Sequence, residues 1–296
     1  VSALAGYELW PDTDLLIGIG SRLDLPYGRW IGGVEALSNK AAPPHLIRID
    51  IDPEEMQRLV PHAGLVCDAS TGAYALAEAV AHLRSKQSGA RERIRVAKAT
   101  AAKKLDLVKL HKGFLDRIRT VLPRDGIFVD EMCQSGYVAY MAYPVYEPRT
   151  YITAGFQGTL GYGFPTSLGV KAARPDKPVI SITGDGGFLF GLSELATAVQ
   201  EKLGVVTIVF NNGAFGNVAR DQEERYGRAY GSELKNPDFM KVAEGFGVAG
   251  YKAETPDQLQ TVLEKALAAD EPALVEVPID RKQEVSPFSL LMPNRM

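Results

Sequence analysis

The stretch "GDGGFLFGLSELATAVQEKLGVVTIVFNN", Gly184–Asn212, decides the fold. An acid set between glycines opens it and two asparagines close it. The residues before it, "PVISITG" (178–184), and its own "VVTIVFNN" (205–212) are runs rich in β-branched residues, and each reads as a strand. Between them, 192–204 places Leu192, Leu195, Val199 and Leu203 on one helical face and stops at Gly204. A helix joining two strands makes them parallel, and neighbouring parallel strands end on the same sheet edge. Asp185 and Asn212 each sit just past a strand end, so if the two strands are neighbours they converge on that edge, where open α/β sheets bind ligands. A carboxylate and a carboxamide oxygen are hard ligands suited to Mg²⁺, which takes few protein carboxylates and completes its shell with water and phosphate oxygens. Gly184, Gly186 and Gly187 leave backbone N–H groups accessible to phosphate, and a helix starting near Leu192 adds its positive end. The residues therefore point to a Mg²⁺-bridged diphosphate.

The same alternation extends outward. Strands are expected over 14–20, 45–52, 126–131 and 273–280, and helices over 74–83, 109–123, 236–247 and 255–272. A glycine-rich turn leads into a helix over 158–175. This predicts an α/β chain of two parallel-sheet, three-layer units: a partial Rossmann-like unit over 1–86, a basic linker over 87–108, and a second unit over 109–296. The basic run 84–104 is read as a solvated connection rather than a partner site.

Bulk properties exclude several classes. The chain is 46% apolar and 23% charged, as in a globular protein. A net charge of −3 gives no reason to expect nucleic acid or an anionic membrane. No apolar run reaches the ~20 residues that span a bilayer. Two separated cysteines, Cys67 and Cys133, fit a reducing cytoplasm, and four scattered histidines form no metal pair. The opening "VSALAGYELW" reaches a core strand almost at once, which leads us to expect numbering that begins inside a longer protein.

The G-D-G, 24 residues and N-N of this stretch resemble the thiamin diphosphate (ThDP) motif of the ThDP-dependent decarboxylase and carboligase family. "GTLGYGFPTSLGVKAARPDKPVISITGDGGF", "NPDFMKVAEGFGV" and "VPIDRKQEVSPFSLLMP" resemble its acetolactate synthase-like branch, and "DLLIGIGSRL…HLIRIDIDPEEM" its central domain. The resemblance implies a ThDP-fold diphosphate-binding (PP) domain over 109–296, preceded by the C-terminal part of a central domain. It implies Mg²⁺ on the side chains of Asp185 and Asn212 and the carbonyl of Ala214. Diphosphate would lie on Gly184, Gly186 and Gly187, with Gln134 and Ser135 on its other side. Leu160 would wedge between the cofactor rings, and the Gly158 carbonyl would accept from the aminopyrimidine. Asn217 and Val218 would line the substrate pocket. Val218 stands where simple pyruvate decarboxylases of the family carry Glu, which leans towards carboligation.

The implied activity is decarboxylation of a 2-oxo acid with transfer or ligation of the acyl group, in a dimer or tetramer. The family's activating Glu belongs to a pyrimidine domain that matches nothing here. The expectation is thus an incomplete site: a fragment, or a subunit completed by a partner. The alternative is a paralogue that binds ThDP without catalysis. Some family members hold FAD or ADP in the central domain, where Asp50 and Asp52 follow a strand; here those acids read as helix caps instead. A haloacid-dehalogenase-like phosphatase fits poorly, since "GFLFG" follows the G-D-G without an acid pair. "GIGSRL" lacks the third glycine of a dinucleotide fingerprint.

Overall fold

The computed structural model describes residues 2–30, 45–83, 89–155 and 157–291. They fall into two compact units.

The first unit is built on a parallel sheet of β1 (Leu15–Ile19), β2 (His45–Asp50) and β3 (Ala63–Val66), in that order. Its helices are α1 (Ala3–Leu9), α2 (Pro53–Arg58), α3 (Ala69–Val80) and α4 (Ala90–Lys104). Trp10, Tyr27, Leu46 and Leu59 form a small core. α3 starts earlier than the spacing of 74–83 predicts, because Asp68 accepts the Ser70 N–H at 2.9 Å and caps it. The expected linker 87–108 is corrected: most of it is α4, which buries Ala97 and Ala101. A basic composition does not prevent a helix when small residues supply a buried stripe. The boundary expected at 86/87 lies outside the described residues, as does the chain after Leu291.

The second unit, Leu105–Pro287, has a six-stranded, wholly parallel sheet. Its strands are β4 (Ile127–Val129), β5 (Tyr151–Ile152), β6 (Val179–Gly184), β7 (Val205–Asn211), β8 (Ala249–Lys252) and β9 (Ala273–Pro278), in the order β5-β4-β6-β7-β9-β8. Its helices are α5 (Lys109–Val121), α6 (Gln134–Ala142), α7 (Gly163–Ala173), α8 (Asp185–Gly191), α9 (Leu195–Gln200), α10 (Gly216–Tyr226), α11 (Phe239–Phe246) and α12 (Pro256–Ala269). A last turn, α13 (Phe288–Leu291), groups with the first unit.

Every β7 residue from Val205 to Phe210 is buried, as a central parallel strand covered on both faces requires. Val205 and Val209 pack with Phe164, Leu168, Phe188, Leu195 and Phe239 of α7, α8, α9 and α11. Phe210 points to the other layer, where Phe114 of α5 meets it edge-on at 5.7 Å between ring centres. Alternate side chains of one strand thus serve two helical layers.

The helix predicted over 192–204 is also corrected. Helical backbone begins at Asp185, directly after Gly184, and passes through a 3₁₀ turn at Leu192–Glu194 into α9, which ends at Gln200. An acid in the first turn suits the helix N-terminus. The 3₁₀ turn rotates the later face, so Ala198 points inward and Val199 is 38% exposed. Among the described residues, no helix is long and apolar enough to cross a membrane.

Candidate active site

Strand order locates the site. From β4 the chain moves outward to β5; from β6 it moves the other way to β7. Adjacent β4 and β6 are therefore a switch point, where connections part and leave a crevice at the carboxyl ends. Loops after β4, β6 and β7 line one cleft of about 250 Å³ there. Its walls include Gln134, Gly158, Leu160, Gly184, Asp185, Gly186, Gly187, Asn212, Ala214, Asn217 and Val218. Eleven residues singled out from sequence alone thus share one cleft.

The register explains why Asp185 and Asn212 meet. Gly184 of β6 pairs with Phe210 of β7, so the next residues emerge side by side. Asn211 turns away, donating to Glu276 Oε1 at 2.7 Å, and Asn212 is left on the cleft. Asp185 is buried, and its Oδ2 accepts the Gly213 N–H at 2.8 Å and Asn236 Nδ2 at 2.6 Å. Burial pushes its carboxyl up; the bonds from Asn236, Gly186 and Gly213 pull it back. Among the described residues no lysine or arginine pairs with it. Asn212 Oδ1 accepts the Ala214 N–H at 3.1 Å, closing a tight turn in which Gly213 has φ +70°.

Glycine is needed in α8 for close packing as well as for exposed N–H groups. A Cβ at Gly186 would lie 2.4 Å from Phe215 Cε1, and one at Gly187 would lie 2.0 Å from Glu131 Oε1. Glu131 is buried at the end of β4 and accepts from the Gly161 N–H at 2.6 Å, the Gly163 N–H at 3.1 Å and Thr183 Oγ1 at 2.8 Å. One carboxylate thereby fixes the turn that carries Gly158 (φ +47°) and Leu160. Burial raises the Glu131 carboxyl, offset by these three bonds.

Ser135 departs from expectation. It is fully buried, does not line the cleft, and its Oγ lies 2.8 Å from His111 Nδ1. The sequence reading placed it beside Gln134 on the cleft, but α6 turns about 100° per residue and carries Ser135 inward. His111 and Glu284 line the cleft instead, joined at 3.1 Å. Neither they nor Asn236 were singled out. They come from distant segments, and no spacing links them to the G-D-G or the N-N. Burial pushes the Cys133 thiol strongly up, and its Sγ accepts the Gly136 N–H at the start of α6. Asp50 and Asp52 of the first unit are both engaged. Asp50 pairs with Arg48 at 3.5 Å and accepts the Asp52 N–H, while Asp52 accepts the Glu54 N–H and caps α2.

These residues fit a metal-bound diphosphate. Among the described residues no three His, Cys, Asp or Glu side chains cluster as a metal site, so an ion here would use one carboxylate with amide and carbonyl oxygens, as Mg²⁺ does. Gln134 lines the cleft with its Oε1 buried and unpartnered, an unmet polar group on the wall.

Comparison with known proteins gives the family of the unit that carries the cleft. Residues 132–277 match the family described as "Thiamine pyrophosphate enzyme, C-terminal TPP binding domain". A probable acetolactate synthase large subunit of Methanocaldococcus jannaschii is 33% identical over 284 residues, covering 91% of this chain and 47% of that protein. The acetolactate synthase large subunit of Haemophilus influenzae is 30% identical over 293 residues, covering 94% and 50%. A 2-hydroxyacyl-CoA lyase of Arabidopsis thaliana is 32% identical over 256 residues, covering 79% and 44%. The chain spans about half the length of these curated relatives.

Proposed function

Because the chain belongs to the acetolactate synthase-like ThDP-dependent enzymes through its C-terminal TPP binding domain, we propose that its cleft holds the diphosphate of ThDP through Mg²⁺ and serves decarboxylation of a 2-oxo acid with transfer or ligation of the acyl group. The observation that carries the reading is Asp185: a buried carboxylate without a cationic partner among the described residues, sharing a switch-point cleft with the Asn212 amide. Such a group calls for a cation.

In this reading the Asp185 carboxylate, the Asn212 amide oxygen and the Ala214 carbonyl hold Mg²⁺. First-turn N–H groups of α8, at Gly186 and Gly187, and the Gln134 amide take the diphosphate. Leu160, 38% exposed on the cleft wall, would pack against the cofactor, and the Gly158 carbonyl would accept from its aminopyrimidine. Asn217 and Val218 line the acyl and acceptor side, where an apolar Val218 offers no proton and so favours ligation over simple protonation. When bound, ThDP supplies the carbon nucleophile and electron sink; the protein supplies position and electrostatics. We assign the group that activates the aminopyrimidine to a pyrimidine domain outside these residues, in the same protein or a partner, and expect a cytoplasmic oligomer.

Calorimetry with ThDP, with and without Mg²⁺ and with a pyrimidine domain present, tests the reading. Mg²⁺-dependent uptake that Asp185→Ala strongly weakens supports it. ThDP uptake indifferent to Mg²⁺ and to Asp185, or none at all, overturns it.

A further inference from the structure

Four polar side chains form an unbroken chain along the cleft wall, with Ser135 behind it. Ser135 Oγ lies 2.8 Å from His111 Nδ1, His111 Nε2 lies 3.1 Å from Glu284 Oε1, and Asn212 Nδ2 donates to Glu284 Oε2 at 2.6 Å. Ser135 and His111 are at most 1% exposed, and the Glu284 side chain is 6% exposed. They come from the start of α6, from α5, from the segment after β9 and from the end of β7. The two ends of the chain are thus the two sides of the cleft: the α6 side with Gln134, and the β7 side with Asn212.

The chemistry of the last link is directional. A carboxylate only accepts, so it binds the NH₂ end of an amide and leaves the oxygen end turned elsewhere. Here the Asn212 oxygen is turned to the Ala214 N–H at 3.1 Å, keeping a second lone pair for another partner. Without Glu284, an amide can rotate by half a turn and present N–H groups, which repel a cation. The far oxygen of Glu284 is held by His111, and that imidazole is held by Ser135, so the carboxylate has one orientation. Gly216 leaves room for the pair, since a Cβ there would lie 3.1 Å from Asn212 Nδ2.

We propose that Glu284, fixed by the buried His111–Ser135 pair, is a positioning residue that sets the Asn212 amide with its oxygen towards the metal and its nitrogen away. The proposal rests on the Mg²⁺–ThDP reading of the cleft. It gives Ser135 a role through His111 in place of direct contact with the diphosphate.

The test uses the full chain, with a pyrimidine domain present, ThDP and MgCl₂. Glu284→Ala removes the acceptor, and the expected loss of Mg²⁺-dependent ThDP affinity is about 10- to 100-fold, the range for partners that orient a metal ligand. Glu284→Gln keeps an oxygen for Asn212 and an NH₂ that the other His111 tautomer can accept. It is expected to bind within about threefold of wild type, because both hydrogen bonds are kept. Equal affinity of Glu284→Ala and wild type overturns the proposal. So does an equal loss in both variants. A measurement on the unaltered, cofactor-free chain does not depend on any variant folding. The Asn212 side-chain amide, assigned by NMR, should show one proton shifted downfield and slow to exchange; a pair at free-amide positions overturns the proposal. If wild type takes up no Mg²⁺–ThDP, the cofactor reading falls, while the Asn212 spectrum still decides whether Glu284 orients the amide.

Discussion

Both parallel sheets place acids just beyond their strand ends, and the acids meet different fates. In the first unit, Asp50 ends β2 and is paired with Arg48, a fully buried guanidinium that also reaches Glu55 and the carbonyl of Ser21. Asp52 is spent on the N-terminus of α2. In the second unit, Asp185 is just as hidden, yet its partners are an amide and backbone N–H groups. Asp130, at the end of β4, has the Tyr151 hydroxyl at 2.6 Å. The sequence signal, an acid after an apolar strand, is the same three times. The fold gives Asp50 a cation and Asp130 a hydroxyl, whereas Asp185 has only an amide and backbone N–H groups and stands on the wall of an open cleft.

That contrast can be broken at each acid. The largest effect is expected from Arg48→Ala, which strands Asp50 and Glu55 without their buried cation and should cost about 3–5 kcal/mol in urea unfolding. ThDP affinity per folded molecule should not change; if it does, the two sheets do not play separate roles. Next, Asp185→Ala should weaken Mg²⁺-dependent ThDP binding on the order of 100-fold, about 2.7 kcal/mol by calorimetry, while Asp50→Asn leaves binding unaltered.

Asp130 sharpens the comparison through pH. Burial raises its carboxyl from 3.8 to about 6, against the bonds from Tyr151 and Thr153. A raised acid favours the folded state below its ordinary value, and that stability is lost as pH rises through the folded value. Asp130→Asn should therefore gain about 2–3 kcal/mol relative to wild type between pH 4 and pH 7.5 in urea titrations. A constant difference between the two pH values would show that Asp130 is not held protonated. The smallest effect belongs to Asp52→Ala, where loss of a helix cap should cost about 1 kcal/mol and leave ThDP binding as it was.

Asp185 and Asn212 were legible because strand ends and glycine turns are local signals, while Ala214, Leu160 and Gln134 came from the family resemblance; all five line one cleft. Ser135, His111, Glu284 and Asn236 were not legible in their roles. The hydrogen bond between Asn212 and Glu284 spans 72 positions, and that between Asp185 and Asn236 spans 51. Helix limits were misread at Asp68, where capping outweighed periodicity, and at Asp185, where helical backbone follows Gly184 directly with an acid in its first turn.

By itself the sequence determined that β6 and β7 are parallel strands, one followed by a carboxylate and the other by an amide, because alternation and β-branched runs act over a few residues; that the two strands are neighbours came from the structure. Tertiary structure alone decided that β4 lies beside β6, opening the crevice, and that Asp185 goes without the cation that Asp50 has. Those outcomes depend on which distant side chains are brought within hydrogen-bond reach, and a pattern along the chain does not carry that information.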